Sequence, residues 1–204
     1  EDLESRELYT VAKVGAKKFL TFLTTETDSL RAILEIKNID LSLSHHGVSA
    51  ASLATAIVLE EGLHDERSIE MDAFIVGCMI HDLEHVYNNI NFSTNPGKLT
   101  PAEKRIYEQH APHGQKRIEK FNFYSPLVLS LVGQHEELIN GEGPMRLKEK
   151  DIDPMVLALS LADQFDRLLM YEKMDPKEAL KKLLIDKMGL LSPNAMKALQ
   201  NALK

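Results

Sequence analysis

The chain has 204 residues, of which 44% are hydrophobic and 27% charged, a balance typical of one globular domain with a sizeable core. The net charge of −7 argues against broad, non-specific binding of nucleic acid, and no run of about eighteen apolar residues predicts a membrane span. The single cysteine, Cys78, excludes an internal disulfide bond, so cytoplasmic residence is the natural expectation.

Capping residues followed by proline predict where five helices begin. Five of the eight prolines follow Thr, Ser or Asp, which cap a helix while proline takes the first helical position. The five pairs are Thr100-Pro101, Ser125-Pro126, Asp153-Pro154, Asp175-Pro176 and Ser192-Pro193. The spacing from Thr100 to Glu103, and from Asp175 to Glu178, also fits a capping box. Since no alternating run of β-branched residues predicts a strand, we expect an all-α fold.

Hydrophobic periodicity predicts the helices in chain order. Their predicted bounds are 3–23, 27–37, 44–62, 68–88, 101–120, 126–139, 154–172, 176–187 and 193–203. The stretches 89–99 and 140–152 contain Asn-Pro-Gly and Asn-Gly turns and are predicted to be loops. We expect one domain over residues 41–204. Residues 1–40 are then a helical lead-in that packs on this domain or links it to something upstream.

Polar side chains interrupt helix faces that should be buried. By helical spacing, Cys78, His81, Asp82 and His85 share one stripe of the helix predicted at 68–88. Three other predicted helices turn further polar residues inward, namely His46, His135 with Glu136, and Asp163. A lone inward histidine is usually a satisfied core residue, whereas a buried carboxylate is costly unless it is paired or bound to a metal. Four such helices together predict one metal site between helices.

The adjacent residues His81 and Asp82 are the most informative pair. Neighbours on a helix point about 100° apart, so both side chains can reach one cleft from different angles. The histidine can bind one metal ion while the two carboxylate oxygens bridge to a second. As a dipeptide alone, His-Asp is common by chance. The donor types suit iron, manganese, zinc or cobalt.

Several motifs in order resemble the HD-GYP family of metal-dependent phosphohydrolases over roughly residues 40–185. That family carries the motifs HDxGK, HPxxG and HHExxDGxGYP, followed by an aspartate in a DxFD-like helix. The similar segments are residues 81–85, 96–100, 110–114, 135–145 and 163–166. His46 stands where the family has its first histidine. The resemblance implies an all-α, HD-domain-like helical bundle with a metal site between helices.

The resemblance also implies ligands for two divalent metal ions, with iron or manganese expected. One ion would be held by His46, His81, Asp82 and Asp163. The other would be held by Asp82, His110, His135 and Glu136. For Glu136 the alternative to metal binding is that its carboxylate is a solvated charge at the end of a helix.

Three further residues are candidates for contact with the substrate. His85 would touch substrate phosphate, bind metal or simply pack, and with Asp82 it is a candidate catalytic residue. Lys98 and Lys173 would contact phosphate, with the alternative that each is a solvated surface lysine.

The sequence departs from the family pattern at several positions. The lysine of HDxGK is His85, the second histidine of HHE is Glu136, and the aspartate of DG is Asn140. The GYP tripeptide reads Gly-Pro-Met over residues 143–145, so its tyrosine is absent. The family's arginine after the last aspartate has no counterpart in residues 168–171. We therefore expect at most two metals and a ligand pocket that differs from the usual one.

Three functions fit these observations. The first, implied by the resemblance, is a phosphodiesterase that hydrolyses cyclic di-GMP or a related cyclic dinucleotide with metal-activated hydroxide at a two-metal centre. The second is a degenerate, catalytically weak member that acts as a cyclic-dinucleotide receptor or as a protein-interaction module with signalling partners, which the missing tyrosine and arginine favour. The third is a phosphohydrolase for another small phosphate substrate. Nucleic acid and membranes are not expected partners.

Overall fold

The computed structural model describes residues 3–26, 42–88 and 90–204. Over these ranges the chain forms α-helices and short 3-10 segments but no β-strand, which confirms the predicted all-α class. The helices are α1 (Arg6–Thr25), α2 (Leu43–Glu60), α3 (Leu63–Arg67), α4 (Met71–Ile80), α5 (Pro101–Tyr107), α6 (His110–Glu119), α7 (Pro126–Gln134), α8 (Pro154–Glu172), α9 (Pro176–Asp186) and α10 (Pro193–Ala202). The helix predicted at 27–37 lies outside the described residues.

The five helix starts marked by proline form as predicted. Each capping residue accepts a hydrogen bond from a backbone N–H of the first turn. Thr100 and Glu103 complete the capping box before α5, whereas Asp175 caps α9 through the N–H of Lys177. Local side-chain chemistry therefore decides where these helices begin.

The helix predicted at 68–88 is divided, and its end differs from the prediction. It is α-helical only over α4, after which His81 and Asp82 form a turn that leads into a 3-10 segment, Leu83–Val86. The prediction of one continuous stripe through His81, Asp82 and His85 is therefore wrong. Their side chains converge because the chain turns at this point.

Two other predicted helices also end beside the polar residues. The helix predicted at 101–120 breaks between α5 and α6, so that His110 becomes the first residue of α6. The helix predicted at 126–139 ends at Gln134, and His135 and Glu136 follow in a turn. Each break has a local signal that the periodicity overrode: Pro112 cannot accept a continuous helix through Glu108, four residues earlier, and Gly133 lies in the last turn of α7.

The hydrophobic core lies between the longest helices. The long helices α2 and α8 pack against each other, and α10 covers α2. On the other side, α4 packs against α1, α2 and α7. The largest fully buried side chains include Leu53, Ile57, Phe74, Leu131 and Phe165. Each such side chain stabilises the fold by about 1.5–3 kcal/mol relative to its exposed state.

A glycine permits α2 and α4 to approach closely beside the polar cluster. A Cβ atom at Gly47 would collide with the backbone carbonyl oxygen of Met79, near the end of α4. Because glycine lacks this atom, the two backbones can touch. The rings of His46 and His81 consequently face each other, with 5.1 Å between their centroids.

The N-terminal helix is part of the same packed unit. Tyr9 and Ala16 of α1 belong to the hydrophobic core, and α1 packs mainly on α4. The predicted domain boundary near residue 40 falls outside the described residues. No helix in the part of the chain that the structure describes is long and apolar enough to cross a membrane.

Candidate metal centre

Six of the predicted ligands meet in one buried cluster. They are His46 from α2, His81 and Asp82 from the turn after α4, His110 from the start of α6, His135 from the end of α7, and Asp163 from α8. None of the six is more than 1% exposed. Polar groups buried this deeply are costly unless they are paired or bind a cation.

Asp82 lies at the centre of the cluster, and its two oxygens face different ligands. Its Oδ2 atom lies 3.5 Å from Nε2 of His46 and 3.7 Å from Nε2 of His81. Its Oδ1 atom lies 3.0 Å from Nε2 of His110 and 3.2 Å from Nε2 of His135. Among the described residues, neither oxygen has a hydrogen-bond partner of acceptable geometry. The carboxylate is thus oriented as a bridge between two groups of ligands.

The two groups of ligands on either side of Asp82 are called the His46 half and the Glu136 half. The His46 half comprises His46, His81 and Asp163, and the Glu136 half comprises His110, His135 and Glu136, with Asp82 shared. One potential ligand atom per residue lies within 4.8 Å of the others in the His46 half together with Asp82, and likewise among His110, His135 and Glu136. Asp82, His85 and His110 form a third group of this kind.

All four histidines present the same nitrogen atom to the cluster. The Nδ1 atoms of His81, His110 and His135 lie 2.5–3.0 Å from backbone carbonyl oxygens. The Nδ1 atom of His46 lies 2.7 Å from Oδ2 of Asp166. Because carbonyl and carboxylate oxygens only accept, each Nδ1 carries a hydrogen, and the neutral ring keeps its lone pair on Nε2. This is the usual orientation of metal-binding histidines.

The close approach of His110 and His135 fits a shared cation. Their Nε2 atoms lie 2.9 Å apart. Two lone pairs at this distance repel each other unless a proton or a metal ion lies between them. Burial opposes protonation of His110, but its hydrogen bond to Asp82 outweighs burial and raises its pKa, so a proton can fill this position in the metal-free protein. Two nitrogen ligands bound at a right angle, each about 2.0–2.1 Å from one divalent ion, would be separated by about 3 Å. The donor set and its spacing therefore fit a metal.

His46 also requires a cation, because its Nε2 atom faces carboxylates. That atom lies 2.9 Å from Oδ1 of Asp163. Burial opposes protonation, but hydrogen bonds with Asp163 and Asp166 outweigh it and raise the pKa of His46 to about 10. A proton fills this position in the metal-free protein, and a metal ion can replace it. Ser49 donates to the other Asp166 oxygen and thereby holds the outer side of the His46 ring.

Electrostatics keep the carboxylates ionised. Burial opposes ionisation of Asp82, but the neighbouring His81 and Arg167 side chains hold its pKa well below the usual range. In the same way Arg167 and His46 outweigh burial and lower the pKa of Asp163. Both side chains are therefore charged at neutral pH and available to a metal.

Glu136 lies at the edge of the cluster, and its predicted role as a ligand stays a prediction. Its side chain is 22% exposed, and Oε1 lies 3.9 Å from Nε2 of His110. The same oxygen accepts a hydrogen bond of 2.8 Å from Nη1 of Arg167. Burial opposes ionisation, but Arg167 outweighs it and lowers the pKa of Glu136.

Arg167 is the residue that the sequence prediction missed. Its Nε atom lies 2.8 Å from Oδ1 of Asp163, and its Nη1 atom contacts Glu136 and the hydroxyl of Tyr107. Its Nη2 atom lies 3.5 Å from Oδ2 of Asp82 and has no hydrogen-bond partner among the described residues. The missed signal is the spacing of four residues from Asp163, which places Arg167 on the same face of α8.

His85 presents a hydrogen-bond donor to the cluster, unlike the other histidines. The amide nitrogen of Asn88 lies 3.0 Å from Nδ1 of His85, while the amide oxygen of Asn88 accepts from the N–H of Ile90. Nδ1 is therefore an acceptor, and the neutral ring carries its hydrogen on Nε2. Burial lowers the pKa of His85 to about 4, so the ring is neutral at neutral pH. Nε2 lies 3.9 Å from Oδ1 of Asp82.

A cavity of about 710 Å³ opens beside the cluster. Tyr107, Glu136 and Arg167 line it, whereas the six buried ligands, all of them described residues, do not. Because these three side chains lie between the cavity and the cluster and contact one another through Arg167, we call them the floor. Lys98 and Lys173 are exposed and do not line the cavity, so their contact with substrate stays a prediction.

Comparison with known proteins gives one family match. The model of a family described as "HD domain" matches residues 83–188, which is more than half of the chain and begins directly after His81-Asp82. A cyclic di-GMP phosphodiesterase of Thermotoga maritima is 27% identical over 190 residues, covering 87% of this chain and 50% of that protein. A probable cyclic di-GMP phosphodiesterase of Vibrio cholerae is 28% identical over 130 residues, covering 58% of this chain and 30% of that protein.

A solved structure matches over almost the whole chain. It is a HDG"Y"P protein from Bdellovibrio bacteriovorus, with a TM-score of 0.90 and 31% sequence identity. The match covers 98% of this chain and 65% of that one. The chain thus spans half or less of the two phosphodiesterases and about two thirds of the solved protein.

Proposed function

Because this chain belongs to the HD domain family, in its HD-GYP group, we propose that it is a metal-dependent phosphodiesterase that hydrolyses cyclic di-GMP or a related cyclic dinucleotide. The family match confirms the resemblance that the motifs predicted. The observation that carries the proposal is the orientation of Asp82, whose two oxygens face two groups of histidines. The names of the two similar phosphodiesterases support the substrate class.

We propose that the cluster holds two divalent metal ions, with iron or manganese expected. The His46 half and Oδ2 of Asp82 would hold one ion, and the Glu136 half and Oδ1 of Asp82 the other. When bound, such ions lower the pKa of water and stabilise negative charge on phosphate oxygens. The unpartnered Nε2 atom of His81 and the unpartnered oxygens of Asp82 support this assignment, because a buried polar atom without a partner is otherwise costly.

The protein's own residues would orient the reaction. The Nδ1 contacts of the four histidines fix their rings, which reduces the reorganisation that the reaction requires. Nε2 of His85 is directed toward the Asp82 side of the cluster and would donate a hydrogen bond to a substrate phosphate oxygen there. The cavity is within the usual size range of small-molecule sites, roughly 300–1,000 Å³, and gives the ligand its entrance.

The test combines metal analysis with a hydrolysis assay. Purified protein is expected to retain divalent metal and to convert cyclic di-GMP to a linear dinucleotide, and Asp82→Asn is expected to abolish both. Lys104→Gln, which changes an exposed charge outside the cavity lining, is the control for a general charge effect. Protein that holds no metal under any loading condition contradicts the proposal. Faster hydrolysis of a different phosphate ester than of cyclic di-GMP would identify that ester as the better substrate and contradict the proposed substrate class.

A receptor for cyclic dinucleotides is the second candidate. Two observations favour it: the tyrosine of the GYP motif is absent, and the floor separates the cavity from the six buried ligands. A ligand could then bind in the cavity without reaching the metals. Tight binding of cyclic di-GMP by metal-loaded protein, without turnover, would support this function and not the enzyme.

A further inference from the structure

The floor of the cavity contains a guanidinium group with an incomplete set of partners. Arg167 contacts Asp163, Glu136 and Tyr107, while its buried Nη2 atom lies 3.5 Å from Oδ2 of Asp82 and has no hydrogen-bond partner within the described residues. Only 14% of the side chain is exposed, yet it lines the cavity. A ligand in the cavity therefore meets Arg167 before it meets the metal ligands.

Glu136 holds Arg167 with a contact that a phosphate can replace. A guanidinium group binds carboxylates and phosphates in the same forked geometry, so the two anions compete for one position. Glu136 is the more accessible carboxylate partner of Arg167, since its side chain is 22% exposed and that of Asp163 is fully buried. Glu136 is therefore the partner that an incoming anion displaces.

We propose that Arg167 binds the phosphate of the substrate and that Glu136 occupies this position until a phosphate arrives. The step is an exchange of non-covalent partners, in which a phosphate oxygen takes the place of Oε1 of Glu136 on the guanidinium. The hydroxyl of Tyr107, which accepts from Nη1, can donate its own hydrogen to the same phosphate. This inference rests on the proposed function, because it assigns the substrate contact of that site.

The exchange also explains the position of Glu136 between two groups. Its Oε1 atom is 2.8 Å from Arg167 and 3.9 Å from Nε2 of His110. Once displaced from Arg167, the carboxylate is adjacent to the Glu136 half of the metal centre and can complete its ligands.

Opposite effects of two substitutions distinguish this exchange from a purely structural ion pair. If the pair only stabilises the floor, removal of either partner damages the site in the same way. If Glu136 competes with phosphate, Arg167→Gln weakens phosphate binding, whereas Glu136→Gln strengthens it when variants of the same metal content are compared. Arg167→Lys keeps the charge but loses the fork, so it restores binding only in part.

The experiment measures binding of inorganic phosphate by calorimetry to protein saturated with manganese, with metal content determined for every variant. Arg167→Gln is expected to raise the dissociation constant roughly 10- to 100-fold, the effect of losing hydrogen bonds to a charged group. The matched control is Arg67→Gln. Arg67 is also partly buried and bonded to two carboxylates, Asp153 and Glu70, but it does not line the cavity. This control is expected to bind phosphate like wild type.

Two results would overturn the inference. One is wild-type phosphate affinity in Arg167→Gln, and the other is equal weakening in Arg167→Gln and Glu136→Gln at the same metal content. The outcome for the proposed function is separate, since it depends on hydrolysis of cyclic di-GMP by wild type. Absence of hydrolysis together with the expected phosphate results would refute the enzyme but leave Arg167 as the phosphate-binding residue.

Discussion

The two halves of the proposed metal centre share Asp82 but differ in how firmly their side chains are held. In the His46 half, every ligand is fully buried, and the far side of His46 is held by Asp166, which in turn accepts from Ser49. In the Glu136 half, both histidines are equally buried, but the carboxylate faces the cavity and is bonded to Arg167. In the His46 half the side chains have fixed partners, whereas in the Glu136 half the carboxylate of Glu136 lies between Arg167 and the proposed metal position.

Two adjacent sites with the same donor types can therefore differ in metal affinity and in how readily a ligand exchanges partners. Ligands held by neighbouring hydrogen bonds lose little freedom when a metal binds, which favours affinity. A ligand already paired with Arg167 must give up that contact first, which reduces affinity but allows exchange. We therefore expect the His46 half to bind metal more tightly than the Glu136 half.

The largest expected effect is that of Asp82→Ala, which should remove metal from both halves. Asp82 contributes one oxygen to each half, and no neighbouring carboxylate can replace both contacts. The expected result is near-complete loss of bound metal, measured by elemental analysis after purification in manganese. Circular dichroism should show that the helices remain, and Asp163→Ala should mainly empty the His46 half. Equal metal content in wild type and Asp82→Ala would contradict the bridging assignment.

A smaller effect is expected at Glu136, where only one half should respond. Glu136→Ala should reduce the metal content by about one ion, because a charged ligand is lost from the Glu136 half alone. Glu136→His should retain that ion, since imidazole is an acceptable ligand in the same position. Metal titration followed by calorimetry separates the two binding steps. Two unchanged binding steps in Glu136→Ala would show that this carboxylate serves Arg167 and not a metal.

Asp166→Asn tests the rigidity of the His46 half. The amide keeps the size of the side chain but removes the charge that holds Nδ1 of His46. Loss of such an outer contact typically costs roughly 10- to 100-fold in metal affinity, so the tighter binding step should weaken by that factor. The weaker step should not change. If both steps weaken equally, the two halves are not independent in the way that their contacts indicate.

Ser49→Ala should give the smallest effect in the same direction. Its hydroxyl contacts the Asp166 carboxylate and not the metal ligands, so it acts on the proposed metal only through Asp166 and His46. We expect about three- to tenfold weaker binding in the His46 half, within the range of about 0.5–1.5 kcal/mol for one typical hydrogen bond. The double variant with Asp166→Asn should be no worse than Asp166→Asn alone. An additive loss would assign Ser49 a separate role.

The sequence predicted much of this centre because its signals are local. Helix starts followed from the capping residues, and the inward positions of His46 and Asp163 followed from helical periodicity on α2 and α8. The six buried ligands of the cluster were all named from motifs and spacing. Their roles as metal ligands remain predictions that the substitutions above address.

The remaining features depend on contacts that are distant in the sequence. The turn at His81 is imposed by packing, because residues 78–82, where α4 ends, contain neither Gly nor Pro. At the end of α7, Gly133 weakens the last turn, but its position does not fix where His135 leaves the helix. Arg167 was missed for a similar reason: its partners Glu136 and Tyr107 lie 31 and 60 residues away. His85 directs an N–H, and not a lone pair, toward the cluster because the amide nitrogen of Asn88 contacts its Nδ1 atom. The orientation of that amide is defined only in the folded loop, where its oxygen accepts from the N–H of Ile90.

The separation of the ligands along the chain also bears on how the centre assembles during folding. His110 and His135 are 25 residues apart and belong to the adjacent helices α6 and α7, whereas His46 and Asp163 are 117 residues apart. Closing the longer loop costs more entropy and follows the local pairing of helices. We expect a metal ion added during refolding to meet the histidines of the Glu136 half first. The tighter His46 half would form last, so that its ion is captured only when the chain is complete.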